Sequence, residues 1–289
     1  MVSTSSPYEV SPPRRALGRF NAAAAAFLLV AGGMVTSTNS GMAVPDWPLS
    51  YGQWLPKMTG GVFFEHGHRM IAAFIGLLIL IMAVWTQLDE TRPGVRRLAW
   101  WTLFGVCLQG VLGGVTVLFN LPVAVSAAHA TLGQTMFCLL VIMADLVGDS
   151  SASVALEPVG RLPALGALAV AALWCQLLLG AIMRHGGSGI APHLVGAAVA
   201  SLAAGSLGAA ALARREPSLR RPGGALLALL AAQLTLGLAT ADFRTAPMPR
   251  ANPAMIAIAT THLVVGALLM GTAVLLTFRL YRLKSSCAV

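Results

Sequence analysis

Residues 67–87 read GHRMIAAFIGLLILIMAVWTQ. Past Arg69 the stretch carries no charge, and its length matches the roughly 20 apolar residues that a transmembrane helix takes. Seven further apolar spans accompany it, at approximately 20–38, 98–118, 125–147, 163–184, 192–213, 223–242 and 254–280. Eight such helices use roughly 160 positions, about 55% of the chain. The composition agrees, with 57% hydrophobic and 10% charged residues among 289 and a mean hydropathy of +0.77. A soluble domain carries about a quarter charged residues. A water-soluble globule, a disordered chain and a nucleic-acid binder are therefore excluded, despite a net charge of +9. The expected fold is an all-α polytopic membrane protein with short loops.

The connectors alternate in charge. One side holds Arg14, Arg15, Arg19, Arg92, Arg96, Arg97, Arg161, Arg214, Arg215, Arg220, Arg221, Arg279, Arg282 and Lys284, and the other holds Lys57, Arg69, Arg184, Arg244 and Arg250. The positive-inside rule puts both termini in the cytoplasm, so 1–19 and 282–289 read as cytoplasmic tails of a multi-pass protein of the cell inner (plasma) membrane. Arg14-Arg15 reads as the flank of the first helix and not as a secretory signal, because that span has a counterpart later in the chain. Cys107, Cys138 and Cys175 lie in apolar spans and Cys287 in the tail. No structural disulfide is expected on the oxidising side. The absence of CxxCH excludes a c-type haem attachment, and Cys287 does not form a prenylation box.

Several features recur in order. Gln109-Gly-Val-Leu-Gly113 precedes His129 and Gly133, and Gln233-Leu-Thr-Leu-Gly237 precedes His262 and Gly266. Gly32-Gly33 leads to Asn39-Ser40-Gly41, and Gly180 leads to Gly187-Ser188-Gly189; His68 and His193 then open the second and sixth spans. This predicts two four-helix halves, 20–150 and 160–281, joined by the polar segment from Gly148 to Arg161. An even number of spans per half makes the repeat parallel, giving eight transmembrane helices as two parallel-repeat four-helix bundles.

All six histidines fall on the outer side. Four of them, His68, His129, His193 and His262, occupy one even-numbered span each at equivalent places. A single intramembrane histidine is explained by an interhelical hydrogen bond. Four at related sites are not, since ionisable residues in spans are rare and usually functional. Neutral imidazole is a good iron ligand, and two histidines on facing helices can grip one haem. Zinc fits less well, because each half supplies two clear ligands and no nearby thiolate. Gly32, Gly33, Gly113, Gly114, Gly133, Gly180, Gly196, Gly237 and Gly266 would let a macrocycle lie against the backbone, or serve close helix packing.

The halves differ in one chemical respect. Glu65 precedes His68 by three residues, on the same helix face, whereas Ile190 stands at the matching place before His193. Only the first half looks equipped for chemistry; the plainer reading of Glu65 is an interfacial acid paired with Arg69. His66 should face away from His68. Arg69 and Arg184, closest to the histidines, are the candidate partners for haem propionates. Lys57, Arg244 and Arg250 read as interfacial anchors, and Asp145 and Asp242 receive no role. The connector 39–66, with Pro45-Asp-Trp-Pro48 and Trp54-Leu-Pro56, suits a structured interfacial loop.

These residues resemble the haem A synthase family. The matching pieces are Gly32-Gly-Met-Val-Thr-Ser-Thr-Asn-Ser-Gly41, Pro45-Asp-Trp-Pro48, Glu65-His-Gly-His-Arg69, the His129 helix, Arg184-His185-Gly-Gly-Ser-Gly189 with His193, and the His262 helix. The resemblance runs from about 20 to 281. It implies oxidation of the C8 methyl of haem O to a formyl group by successive hydroxylations with oxygen from water, supplying haem A to terminal oxidases. It implies substrate haem O, received from a haem O synthase, on His68 and His129, and a haem b cofactor on His193 and His262. Glu65 matches the acid the family needs, either as a stabiliser of a cationic intermediate or as the base that directs water. Outer-loop cysteine pairs of some branches are absent here, and the electron acceptor stays open. The farnesyl tail of the substrate belongs in lipid, which suggests lateral entry from the bilayer. Two other classes compete on the residues alone: a dihaem b-type membrane electron carrier, disfavoured because all four histidines lie near one face, and a parallel-repeat transporter, which lacks mid-membrane charges.

Overall fold

The computed structural model describes residues 10–148, 158–186, 189–245 and 252–286. It is helical, with α1 Pro12–Ser37, α2 Gly61–Asp89, α3 Pro93–Leu118, α4 Val123–Gly148, α5 Leu162–Arg184, α6 Ile190–Leu212, α7 Pro217–Thr245 and α8 Pro253–Ser286. Each of the eight is long and apolar enough to cross a membrane, and no named strand occurs among the described residues. Several helices overrun their apolar windows. α1 starts at Pro12 and α8 runs to Ser286, because a helix need not stop where hydrocarbon ends. Proline opens α1 and α3, where its missing N–H costs nothing.

Contacts define the layout. α1 packs on α2 and α4, and α3 on α2 and α4; α5 packs on α6 and α8, and α7 on α6 and α8. α1, α4, α5 and α8 meet across the middle. One core lies along that seam, with Phe137, Leu173, Leu207, Leu226, Ala273, Leu276 and Leu280 buried. A smaller core joins Val10, Met82, Val95, Ala99, Met143 and Val147. Large apolar side chains such as Leu88, Trp101, Leu202 and Leu238 point outward, as lipid permits. Association in lipid relies on close packing over small residues. A Cβ on Gly105 would run into Met136, and one on Gly271 would stand 2.8 Å from the Phe137 ring.

Polar ties close the end opposite the histidines. Arg14 donates to Glu90 at 2.9 Å, Arg92 donates to the same carboxylate at 2.9 Å, and Arg96 reaches the Glu90 carbonyl. Asp145 of α4, which the sequence leaves without a role, accepts from Arg279 of α8 at 2.5 Å. Cys107, Cys138 and Cys175 are free. Gly187, Ser188, Arg250, Cys287 and most of the joining segment lie outside the described residues, as do the side chains of Asp242, Arg244 and Lys284.

Candidate functional site

The four histidines lie near the N-terminal ends of α2, α4, α6 and α8, within about 15 Å of each helix start at 1.5 Å per residue. Each has its ring edge against a glycine of the preceding helix. A Cβ on Gly32 would stand 3.1 Å from Cε1 of His68, and one on Gly113 3.2 Å from Cε1 of His129. The corresponding distances are 3.0 Å for Gly180 and His193 and 3.3 Å for Gly237 and His262. These glycines therefore seat the imidazole edges. Gly114 is filled likewise, by the Trp47 ring, and Gly33 lies against Thr260.

The rings form two pairs. His68 and His129 are close enough for charge on one to bear on the other, and so are His193 and His262. Nδ1 of His68, His129 and His262 is buried without a hydrogen-bond partner. Such orphaned polar atoms are uncommon and want an explanation. Among the described residues, no group of three or more His, Cys, Asp or Glu gathers to hold a metal ion; the arrangement offers ligands in twos.

Among the described residues, an acid precedes the histidine of the first pair only, on α2. Glu65 is buried, accepts from Arg69 Nη2 at 2.6 Å through Oε1, and accepts from the Val44 N–H at 2.9 Å through Oε2. The plainer reading, an acid paired with Arg69, is what the structure shows, on the helix that carries His68 one turn further on. Arg69 also donates to the carbonyls of Asp46 and Leu49 at 2.8 and 2.9 Å. Its guanidinium thus ties α2 to the loop. Arg184 donates to Ser37 Oγ at 2.7 Å, bridging α5 to α1. His66 turns away from His68 to bond Ser50 Oγ at 2.7 Å.

The loop between α1 and α2 is built onto this site. Besides Val44, Asp46 and Leu49, it sends Trp47 down against Gly114, next to the glycine behind His129. The Asp46 carboxylate accepts the N–H groups of Tyr51 and Gly52 at 2.6 and 2.8 Å. The Gly52 bond does most to hold its pKa below the ordinary carboxylate value. Sequence reasoning foresaw a structured loop here but none of these contacts, because they join residues with no local periodicity.

It also missed Gln176. Three glutamines each stand four residues before a histidine-seating glycine: Gln109, Gln176 and Gln233. Gln109 Nε2 donates to the His129 carbonyl at 2.8 Å, and Gln176 Nε2 lies 3.0 Å from both the carbonyl and Nδ1 of His193. Gln233 Nε2 lies 3.4 Å from Nε2 of His262. The signal was present as Gln176-Leu-Leu-Leu-Gly180.

Membrane-length helices around paired intramembrane histidines define a multi-pass helical membrane protein with its site inside the bundle. A sequence family described as cytochrome oxidase assembly protein matches residues 59–193, a range that includes Glu65, His68, His129 and His193. The haem A synthase of Symbiobacterium thermophilum is 35% identical over 191 residues, covering 61% of this chain and 61% of that protein. That of Shouchella clausii is 30% identical over 138 residues, covering 47% and 46%, and that of Geobacillus kaustophilus 28% over 177 residues, covering 57% and 54%. The matched part thus spans about half to three-fifths of the length of these curated relatives. Over that part the chain is similar to haem A synthases and to the cytochrome oxidase assembly family.

Proposed function

We propose that the protein is a haem A synthase, an oxidoreductase that converts the C8 methyl of haem O to a formyl group and supplies haem A to cytochrome c oxidase. The observation that carries this reading is the fourfold seating of a histidine edge against glycine, with Glu65 three residues before His68 and, among the described residues, no acid at the matching place before His193. A haem suits such a donor set. Each pair offers two imidazoles, and buried ring nitrogens lack protein partners. In this reading 20–150 and 160–281 are parallel-repeat halves. His68 and His129 hold the substrate haem O, received from a haem O synthase, and His193 and His262 hold haem b, which supplies one-electron redox chemistry when bound.

Converting a methyl to a formyl group takes up one water net and releases four protons and four electrons, in two successive hydroxylations. The electrons leave to an acceptor in the membrane. Positive charge develops on the carbon being oxidised, and Glu65 answers it. Its carboxylate is fixed by Arg69 and the Val44 N–H, which supports a preorganised anion over a mobile base. Arg184, at the same end, is the cation proposed to meet a propionate. With both termini cytoplasmic, the site lies toward the outer face.

Turnover of the haem O-loaded protein in water enriched in oxygen-18 tests this chemistry. The hydroxymethyl intermediate, whose oxygen does not exchange with solvent, should carry the label by mass analysis. Unlabelled intermediate from reactions under labelled water would refute the water-derived hydroxylation.

A further inference from the structure

The glutamines separate the four histidines into three and one. Gln109, Gln176 and Gln233 lie beside His129, His193 and His262, and Leu28 takes the same position, four residues before Gly32, on the helix that seats His68. Each glutamine amide has its own recess on the histidine helix. A Cβ on Gly133 would stand 2.9 Å from Gln109 Nε2, one on Gly266 2.9 Å from Gln233 Nε2, and one on Gly196 would collide with the Gln176 amide. On α2 the matching places after His68 hold Ile71 and Ala72, so neither the amide nor its recess exists there.

The amides are under-used as they stand. Oε1 of Gln109, Gln176 and Gln233 is buried with no partner, as is Nδ1 of His129 and His262. At Gln109 and Gln176 the amide nitrogen is held by the histidine carbonyl, which leaves the oxygen open to accept. When one ring nitrogen binds iron, the other carries a proton and needs an acceptor, and that acceptor orients the ring and raises its basicity.

We infer that Gln109, Gln176 and Gln233 are positioning residues that accept the free ring N–H of three iron-bound histidines, leaving His68 as the labile ligand. This rests on the haem-binding reading above and deepens it. Both histidines of the second pair have an amide partner, which suits a resident cofactor. In the first pair only His129 does, which suits a substrate that must enter and leave. His68 is the ligand that lets go.

The test uses the full-length protein in detergent and reads haem transfer to excess apomyoglobin together with the haem b midpoint potential. Gln176→Leu and Gln233→Leu should release haem b about 10- to 100-fold faster, the usual loss for such partners, and should raise the potential, because the ligand becomes less electron-rich. Gln176→Glu and Gln233→Glu, which keep an oxygen acceptor, should restore slow release. Leu28→Gln, combined with Ala72→Gly to make the recess, should slow release of haem from the first pair, and Gln109→Leu should hasten it. Wild-type release rates and potentials in both leucine variants would overturn the inference, as would faster release in the Leu28→Gln, Ala72→Gly double variant. A wild-type protein that binds no haem b, or binds it unchanged in His193→Ala and His262→Ala, would instead overturn the haem-binding reading itself.

Discussion

Arg69 Nη2 lies 2.6 Å from Glu65 Oε1 along α2, and both side chains are tied to the same loop, Glu65 through the Val44 N–H and Arg69 through the carbonyls of Asp46 and Leu49. One turn away, the His68 ring rests on Gly32. Loop, carboxylate and histidine therefore form one mechanical unit. Glu65→Gln removes the fixed charge and keeps the shape. Haem A formation should fall about 100-fold or more, the scale for deleting a preorganised electrostatic group, while haem b content stays at the wild-type level. Haem extraction from the purified variant measures both.

The seating of the rings makes a steric prediction. At Gly180 a Cβ would stand 3.0 Å from the His193 ring, so Gly180→Val must displace the imidazole. We expect haem b affinity to drop about tenfold or more, as when a ligand's support is disturbed, seen as lost Soret absorbance with unchanged helicity. Gly94→Ala, at a glycine with nothing within 4 Å, should bind haem normally.

Trp47 anchors the loop to α3 by packing its ring against Gly114. Trp47→Ala should loosen residues 43–50 and raise their amide hydrogen exchange about tenfold, the equivalent of ~1.4 kcal/mol of local opening. Exchange in α6 and α8 should not change.

At the opposite end, Arg92 and Arg14 hold the Glu90 pKa down to about 2 from the ordinary 4.5. A carboxylate depressed on folding stabilises the fold above its unfolded value and loses that contribution as the pH falls toward the folded one. Thermal stability in detergent should therefore decline between about pH 4.5 and 2. Glu90→Gln leaves Arg14, itself buried, without its charge partner. It should cost about 3 kcal/mol near neutral pH and flatten the decline.

The eight helices were legible because an uncharged run of about 20 residues has few alternatives, and the four histidines because ionisable groups stand out within such runs. Glu65 was legible from its spacing to His68. The glycines were half legible. Small residues announce a close approach, yet only the fold tells that imidazoles, amides and the Trp47 ring make it. The loop bonds of Arg69 and the ion pair of Asp145 were not legible, because their partners, the Asp46 and Leu49 carbonyls and Arg279, arrive from elsewhere in the chain. Gln176 was overlooked because its histidine helix departs from the others by one residue, placing Gly196 three residues after His193 where Gly133 and Gly266 follow their histidines by four.

The most direct measurement is the identity of the haem held by the protein, extracted and resolved by chromatography and mass analysis, after expression alone and with a haem O-producing partner. The account predicts haem b alone in the first case, and haem A or its hydroxylated precursor beside haem b in the second. Two unmodified b haems per chain under both conditions would contradict it and would make the protein an electron carrier, with Glu65 a structural residue.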